Sequence, residues 1–140
     1  MKKALTKLIP QRASNCCEYC LLPDSVSTML FQIDHIISQQ HGGLTKQENL
    51  AYSCTACNKF KGSNIASLDP DRVTDQPIML FNPRKDDWHD HFRLEGSVIV
   101  GKTDRGRATV FILQFNNKIH KQVRALLVEE GLYPPSHFLR

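Results

Sequence analysis

The sequence predicts an α+β protein, with a compact β-β-α unit in its first half and a mixed, mainly helical extension after it. Three observations predict this. Cys17 and Cys20 are answered by Cys54 and Cys57, so two Cys-x-x-Cys pairs bracket 33 residues. Between them lie two short runs of β character, and the second pair opens a helical stretch. Beyond Thr103, capping residues and apolar positions recur at helical spacing. The reading is one domain over 1–140, divided into a basic N-terminal segment (1–15), a β-β-α core (16–66) and a C-terminal extension (78–140).

In chain order, residues 2–14 form a short helix with Leu5, Leu8 and Ile9 on one side, and Pro10 limits it to an early turn or breaks it. Residues 16–25 form a tight knuckle closed by Pro23-Asp24. Met29–Ile33 is a strand with Asp34 and His35 at its end, and Gln40–Gly43 is a loop whose glycines permit positive φ. Leu50–Ser53 is a second strand leading into Cys54, and a helix follows from Thr55 to about Ile65. Residues 66–77 connect. Asp86-Asp87-Trp88 starts a helical turn, and Phe92–Leu94 and Val98–Val100 form a hairpin across Glu95-Gly96-Ser97. Thr103 caps a helix over about 104–115, and Asn116 or Asn117 caps another that ends near Gly131. In that last helix Ile119, Val123, Leu126 and Leu127 recur at helical spacing.

The start of the chain has no apolar run behind its lysines and does not read as a signal peptide. No apolar stretch approaches the roughly 20 residues of a membrane span. The expected location is the cytoplasm, where five cysteines favour metal binding over disulfides. Cys16 reads as a small buried filler or as an alternative to Cys17. The net charge of +4 is uneven: residues 1–15 carry four positive charges and no negative ones, and residues 96–140 carry seven against three. Basic ends around a mildly acidic middle suit a polyanion, although solvated lysines and arginines are the commoner explanation of such a pattern.

Two Cys-x-x-Cys turns grip a tetrahedral ion from remote segments. Four thiolates leave no open coordination position, so Cys17, Cys20, Cys54 and Cys57 are candidate ligands of a structural Zn²⁺. An iron–sulfur cluster is the competing use. Redox Cys-x-x-Cys motifs come singly and in a βαβ setting.

Asp34-His35-Ile36-Ile37, Gly42-Gly43, Asn49-Leu50 and Cys54-Thr55-Ala56-Cys57-Asn58-Lys59-Phe60-Lys61-Gly62 together resemble the HNH endonuclease motif of the zinc-braced type. The resemblance covers roughly residues 12–64. Its spacings, fifteen positions from Asp34 to Asn49 and nine from Asn49 to Asn58, are also similar to the HNH domain of RNA-guided CRISPR effectors. Leu80–Arg84, Trp88, His91-Phe92 and Gly106–Val110 resemble the C-terminal half of stand-alone bacterial HNH proteins.

The resemblance implies a ββα-metal (His-Me finger) nuclease fold and hydrolysis of phosphodiester bonds, with DNA as the partner. It makes His35 the general base, a task that suits an imidazole titrating near neutrality. It has Asn49 orient that histidine and has Asp34 and Asn58 hold a catalytic Mg²⁺ or Mn²⁺. Many family members carry histidine where this chain has Asn58, and an amide oxygen favours the harder ions. Lys59, Lys61 and His41 are candidate nucleic-acid contacts. Trp88 reads as a packing residue. Arg105, Arg107, Lys118, Lys121 and Arg124 form either a basic face or a solvated helix surface. His89, His91, His120 and His137 lack metal partners at useful spacing.

Each residue alone has an ordinary reading as a turn, cap or surface group. Inside four cysteines and at these spacings, the joint reading is catalytic. The alternatives left open are a non-catalytic zinc module that binds nucleic acid or protein, and the nuclease of a toxin or defence system. A homodimer or a partner subunit of such a system is compatible with either.

Overall fold

Helix α1 (Lys3–Arg12) runs through Pro10, against the expected early stop. The proline falls in the last turn, where it forfeits one bond, to the carbonyl of exposed Thr6, and water can replace it. The structure, a computed structural model, describes residues 1–71 and 74–138. Ile9 and Ala13 pack with Leu50 and Tyr52 in a small apolar cluster. Arg12 donates to the Gln47 carbonyl (3.0 Å) and the Leu50 carbonyl (2.6 Å). Its charge therefore serves to dock α1, not to form a free basic arm.

Strands β1 (Gln32–His35) and β2 (Leu50–Ser53) pair antiparallel, with Gln32 opposite Ser53 and His35 opposite Leu50. β2 falls where the sequence placed it. β1 begins later than expected, leaving Leu30 at 90% exposure, and it contains Asp34 and His35 because Ala51 and Leu50 pair with them. Helix α2 (Thr55–Lys61) is capped by the Cys54 sulfur and stops short of Ile65, at Gly62, whose φ of +53° an L side chain rarely adopts. The stretch read as a connector contains part of a second pair, β3 (Ala66–Ser67) with β4 (Ile78–Met79). Strands of two residues are too short to display alternation.

The extension follows its caps. Asp87 caps α3 (Trp88–His91), Thr103 caps α4 (Asp104–Ile112), and Asn117 caps α5 (Lys118–Glu129). The hairpin is β5 (Phe92–Glu95) with β6 (Val98–Gly101). One apolar cluster joins the cysteine knuckles to Phe81, Trp88, Phe92, Ile99, Leu113 and Phe115. Trp88 donates its indole N–H to the Tyr19 carbonyl (2.8 Å), and the Tyr133 hydroxyl donates to the Cys20 carbonyl (2.8 Å). Each large apolar side chain buried here contributes about 1.5–3 kcal/mol, so the extension closes over the first knuckle and braces it.

Three of the five residues of the expected basic face are committed elsewhere, while Lys118 is exposed and Lys121 half-buried. Arg105 pairs with Asp86, and Arg107 with Asp69 and Asp71. Arg124 is 2% exposed and donates to the Ser97 carbonyl and to Asn116. α5 thus buries Arg124 and Leu127, while Ile119 and Leu126 stay outside at 69% and 63% exposure. The buried acceptors under α5 select an arginine where periodicity alone favours the aliphatic stripe.

Candidate active site

The four knuckle sulfurs, those of Cys17, Cys20, Cys54 and Cys57, lie within 4.8 Å of one another and are buried. They join the β1–β2 region to the first knuckle across some thirty residues of chain. The Cys20 and Cys57 backbone N–H groups donate to the Cys17 and Cys54 sulfurs (3.5 and 3.4 Å), which favours thiolates. Hydrogen bonding with Cys17 leads in holding the Cys54 thiol low and the Cys20 and Cys57 thiols high. That conflict among crowded sulfurs is what a shared dication removes. Four soft donors in a closed, dry shell fit Zn²⁺ in a structural role. Cys16 stands outside the cluster. Its thiol reaches the Ser14 carbonyl (3.4 Å), and burial pushes it up to about 11.

β1 has two chemically different faces. Gln32 and Asp34 alternate onto the side facing α2, where Asn58 and Lys61, three residues apart, share one helix face. The Asn58 amide donates to the Gln32 side-chain oxygen. The Lys61 ammonium lies 3.3 Å from Asp34 Oδ1, 3.1 Å from Oδ2 and 3.1 Å from the His35 carbonyl. The Tyr19 hydroxyl donates to Asp34 Oδ2 (2.7 Å). Asp34 is 5% exposed and Lys61 is 2% exposed. Burial pushes the Asp34 carboxyl up from its ordinary value, and Lys61 and Tyr19 pull it back. Burial, with Asp34 beside it, also drives the Tyr19 phenol well upward, so it stays a donor.

Two expectations change here. Lys61 was expected to face a nucleic-acid backbone, but its ammonium is buried against Asp34. Asp34 and Asn58 were expected to form an open oxygen site for a divalent ion. Both Asp34 oxygens already have partners, whereas Asn58 is held to Gln32 through its amide nitrogen, a bond that leaves its oxygen uncommitted. Ammonium–oxygen distances above 3 Å are hydrogen-bond lengths, not the roughly 2.0–2.1 Å of Mg²⁺ coordination. In this arrangement Lys61 holds the position at Asp34 that a divalent ion would take.

His35 points the other way. It is half-buried, and its Nε2 lies 2.8 Å from the Thr45 hydroxyl, which also accepts from Gln39 (3.4 Å). The loop carrying Thr45 is fixed by Asn49. The Asn49 Oδ1 accepts from the Ile37 N–H, and its Nδ2 donates to the Ile37 and Leu44 carbonyls, each at 2.9 Å. Asn49 therefore contacts the loop after the histidine and not the histidine itself, because its backbone already closes the ladder beyond the His35–Leu50 pair through Ile36 (2.8 Å). A Cβ on Gly43 would fall 1.7 Å from the Ile37 carbonyl oxygen, so only glycine lets this loop close. Lys59 and His41 are exposed, and Lys59 sits 5.7 Å from the centre of the Phe60 ring.

Residues 17–64 match the family model described as HNH endonuclease. This stretch resembles an HNH domain. Its presence supports a nuclease-type function and implies a nucleic-acid substrate. Comparison with curated proteins and with solved structures gave no match. Among the described residues, no helix is long and apolar enough to cross a membrane.

Three residues of the HNH domain escaped the sequence reading: Tyr19 on Asp34, Thr45 on His35 and Gln32 on Asn58. Periodicity carries part of the missing signal. Alternation puts Gln32 with Asp34 on one face of β1, and a spacing of three puts Asn58 with Lys61 on one face of α2. Tyr19, between the first two cysteines, and Thr45, within the glycine loop, have no such pattern.

Proposed function

We propose that this protein is an HNH endonuclease that hydrolyses phosphodiester bonds in DNA in the cytoplasm, with His35 as its general base. The observation that carries the reading is the accessible imidazole of His35, held by Thr45 on a loop locked by Asn49 and Gly43. With Nε2–H donating to the Thr45 oxygen, Nδ1 keeps its lone pair and takes the proton from the attacking water. The Cys17, Cys20, Cys54 and Cys57 cluster holds Zn²⁺ and fixes β2 and α2 beside that imidazole. Lys59 and His41, both exposed on the domain, contact the DNA backbone. Mg²⁺ or Mn²⁺ belongs to the proposal as a cofactor the assay supplies.

The test is plasmid nicking with Mg²⁺ or Mn²⁺, comparing the native chain with His35→Ala. General-base loss should slow cleavage by about 10²–10⁴-fold, while the melting temperature stays nearly unchanged. Equal activity in both proteins, or none in either, would falsify the assignment. A second reading, a non-catalytic zinc module that binds nucleic acid, is favoured by the occupied Asp34 carboxylate. It predicts DNA binding without nicking in the same experiment.

A further inference from the structure

The carboxylate that should receive a cation already has one. Lys61 is 2% exposed, and its ammonium touches both Asp34 oxygens and the His35 carbonyl. No other carboxylate, histidine or cysteine set outside the four sulfurs converges as a metal group among the described residues. A buried carboxylate needs a counter-charge, and here the ammonium supplies it from the last turn of α2. A second cation cannot share the position, because like charges would then meet in a dry site.

We propose that Lys61 is the resident cation of Asp34, and that a divalent ion binds this carboxylate only by displacing it. Metal affinity at Asp34 is then set by competition with a tethered ammonium, whose local concentration no buffer can dilute. Room for the displaced side chain exists. A cavity of about 210 Å³ is lined by Lys61, Ile36, Ile37, Lys85, Asp86 and Arg105. Asp86 and Arg105 are already committed to each other, so a phosphate group entering there would meet Lys61 and Lys85 as its cations. Binding of metal and phosphate would thus be linked through one side chain.

The proposal rests on Asp34 being the cation-binding group of the nuclease reading, but its test does not depend on cleavage. Mn²⁺ binding to the full, zinc-loaded chain is measured by the loss of the free-ion electron paramagnetic resonance signal. Removing the competitor in Lys61→Met should tighten binding about tenfold or more. The gain should vanish in Lys61→Met combined with Asp34→Asn. Lys61→Arg keeps a resident charge and should show no gain. Binding by Lys61→Met no tighter than native overturns the proposal, as does a gain that survives Asp34→Asn.

Should Lys61→Met fail to fold, the native chain decides. The Lys61 ammonium resonance should change from ion-paired to solvent-exchanging as Mg²⁺ is added, and an unchanged resonance at saturating Mg²⁺ overturns the displacement. A protein that shows the exchange but never nicks DNA sinks the nuclease reading and leaves the competition intact.

Discussion

The HNH domain contains two polar centres that the sequence describes in the same terms and the structure builds in opposite ways. The sulfur centre is complete: four ligand atoms converge and two backbone N–H groups support them. The oxygen centre at Asp34 has its ligand atoms covered by Tyr19 and Lys61. Ligand spacing reveals which donors can meet. Whether the protein supplies a cation of its own depends on a third residue, here three positions beyond Asn58.

That contrast predicts unequal consequences when each centre is broken. Cys54→Ser should have the largest effect, because structural zinc contributes on the order of 10 kcal/mol to folding. The expected outcome is an unfolded or aggregated protein by circular dichroism, and a variant that melts like the native chain would remove the structural role. His35→Ala lies at the other pole: on the proposed role it should slow cleavage by about 10²–10⁴-fold while the melting temperature stays nearly unchanged.

Asn49→Ala falls between them. It leaves the Ile37 N–H and the Ile37 and Leu44 carbonyls without their partner, at about 1–3 kcal/mol for unsatisfied buried groups. Denaturant unfolding should show that loss, and cleavage should slow because Thr45 no longer holds the imidazole. If nicking fell while stability stayed native, Asn49 would be acting on the reaction directly.

Most local structure was legible in the sequence because it follows short-range rules. Thr103, Asn117 and Asp87 cap the helices they precede, β2 falls at Leu50–Ser53, and the hairpin turns where Gly96 permits it. The misreadings were tertiary. Pro10 was tolerated because its missing bond falls on an exposed carbonyl. Arg124 entered the interior because Ser97 and Asn116 offer acceptors there.

Lys61 shows the same limit at the candidate site. Its neighbour Lys59 is exposed, and nothing in the run Asn58-Lys59-Phe60-Lys61 distinguishes the two lysines by type. Their separation by two positions on a helix does so, turning one ammonium toward Asp34 and the other toward solvent. The zinc ligands were legible because four cysteines at knuckle spacing define their own partners. The oxygen site was not, because its decisive contact joins a strand to a helix 27 positions away.

The central claim, one centre built for a metal and the other held by a lysine, is tested most directly by metal content. The protein should be purified without chelator, equilibrated with excess Mg²⁺ and Mn²⁺, rapidly desalted, and analysed by elemental mass spectrometry. The account predicts about one Zn²⁺ per chain, as expected for a closed four-thiolate site, with neither Mg²⁺ nor Mn²⁺ retained. Absence of zinc, or a stoichiometric second ion that survives desalting and is lost in Asp34→Asn, would contradict it.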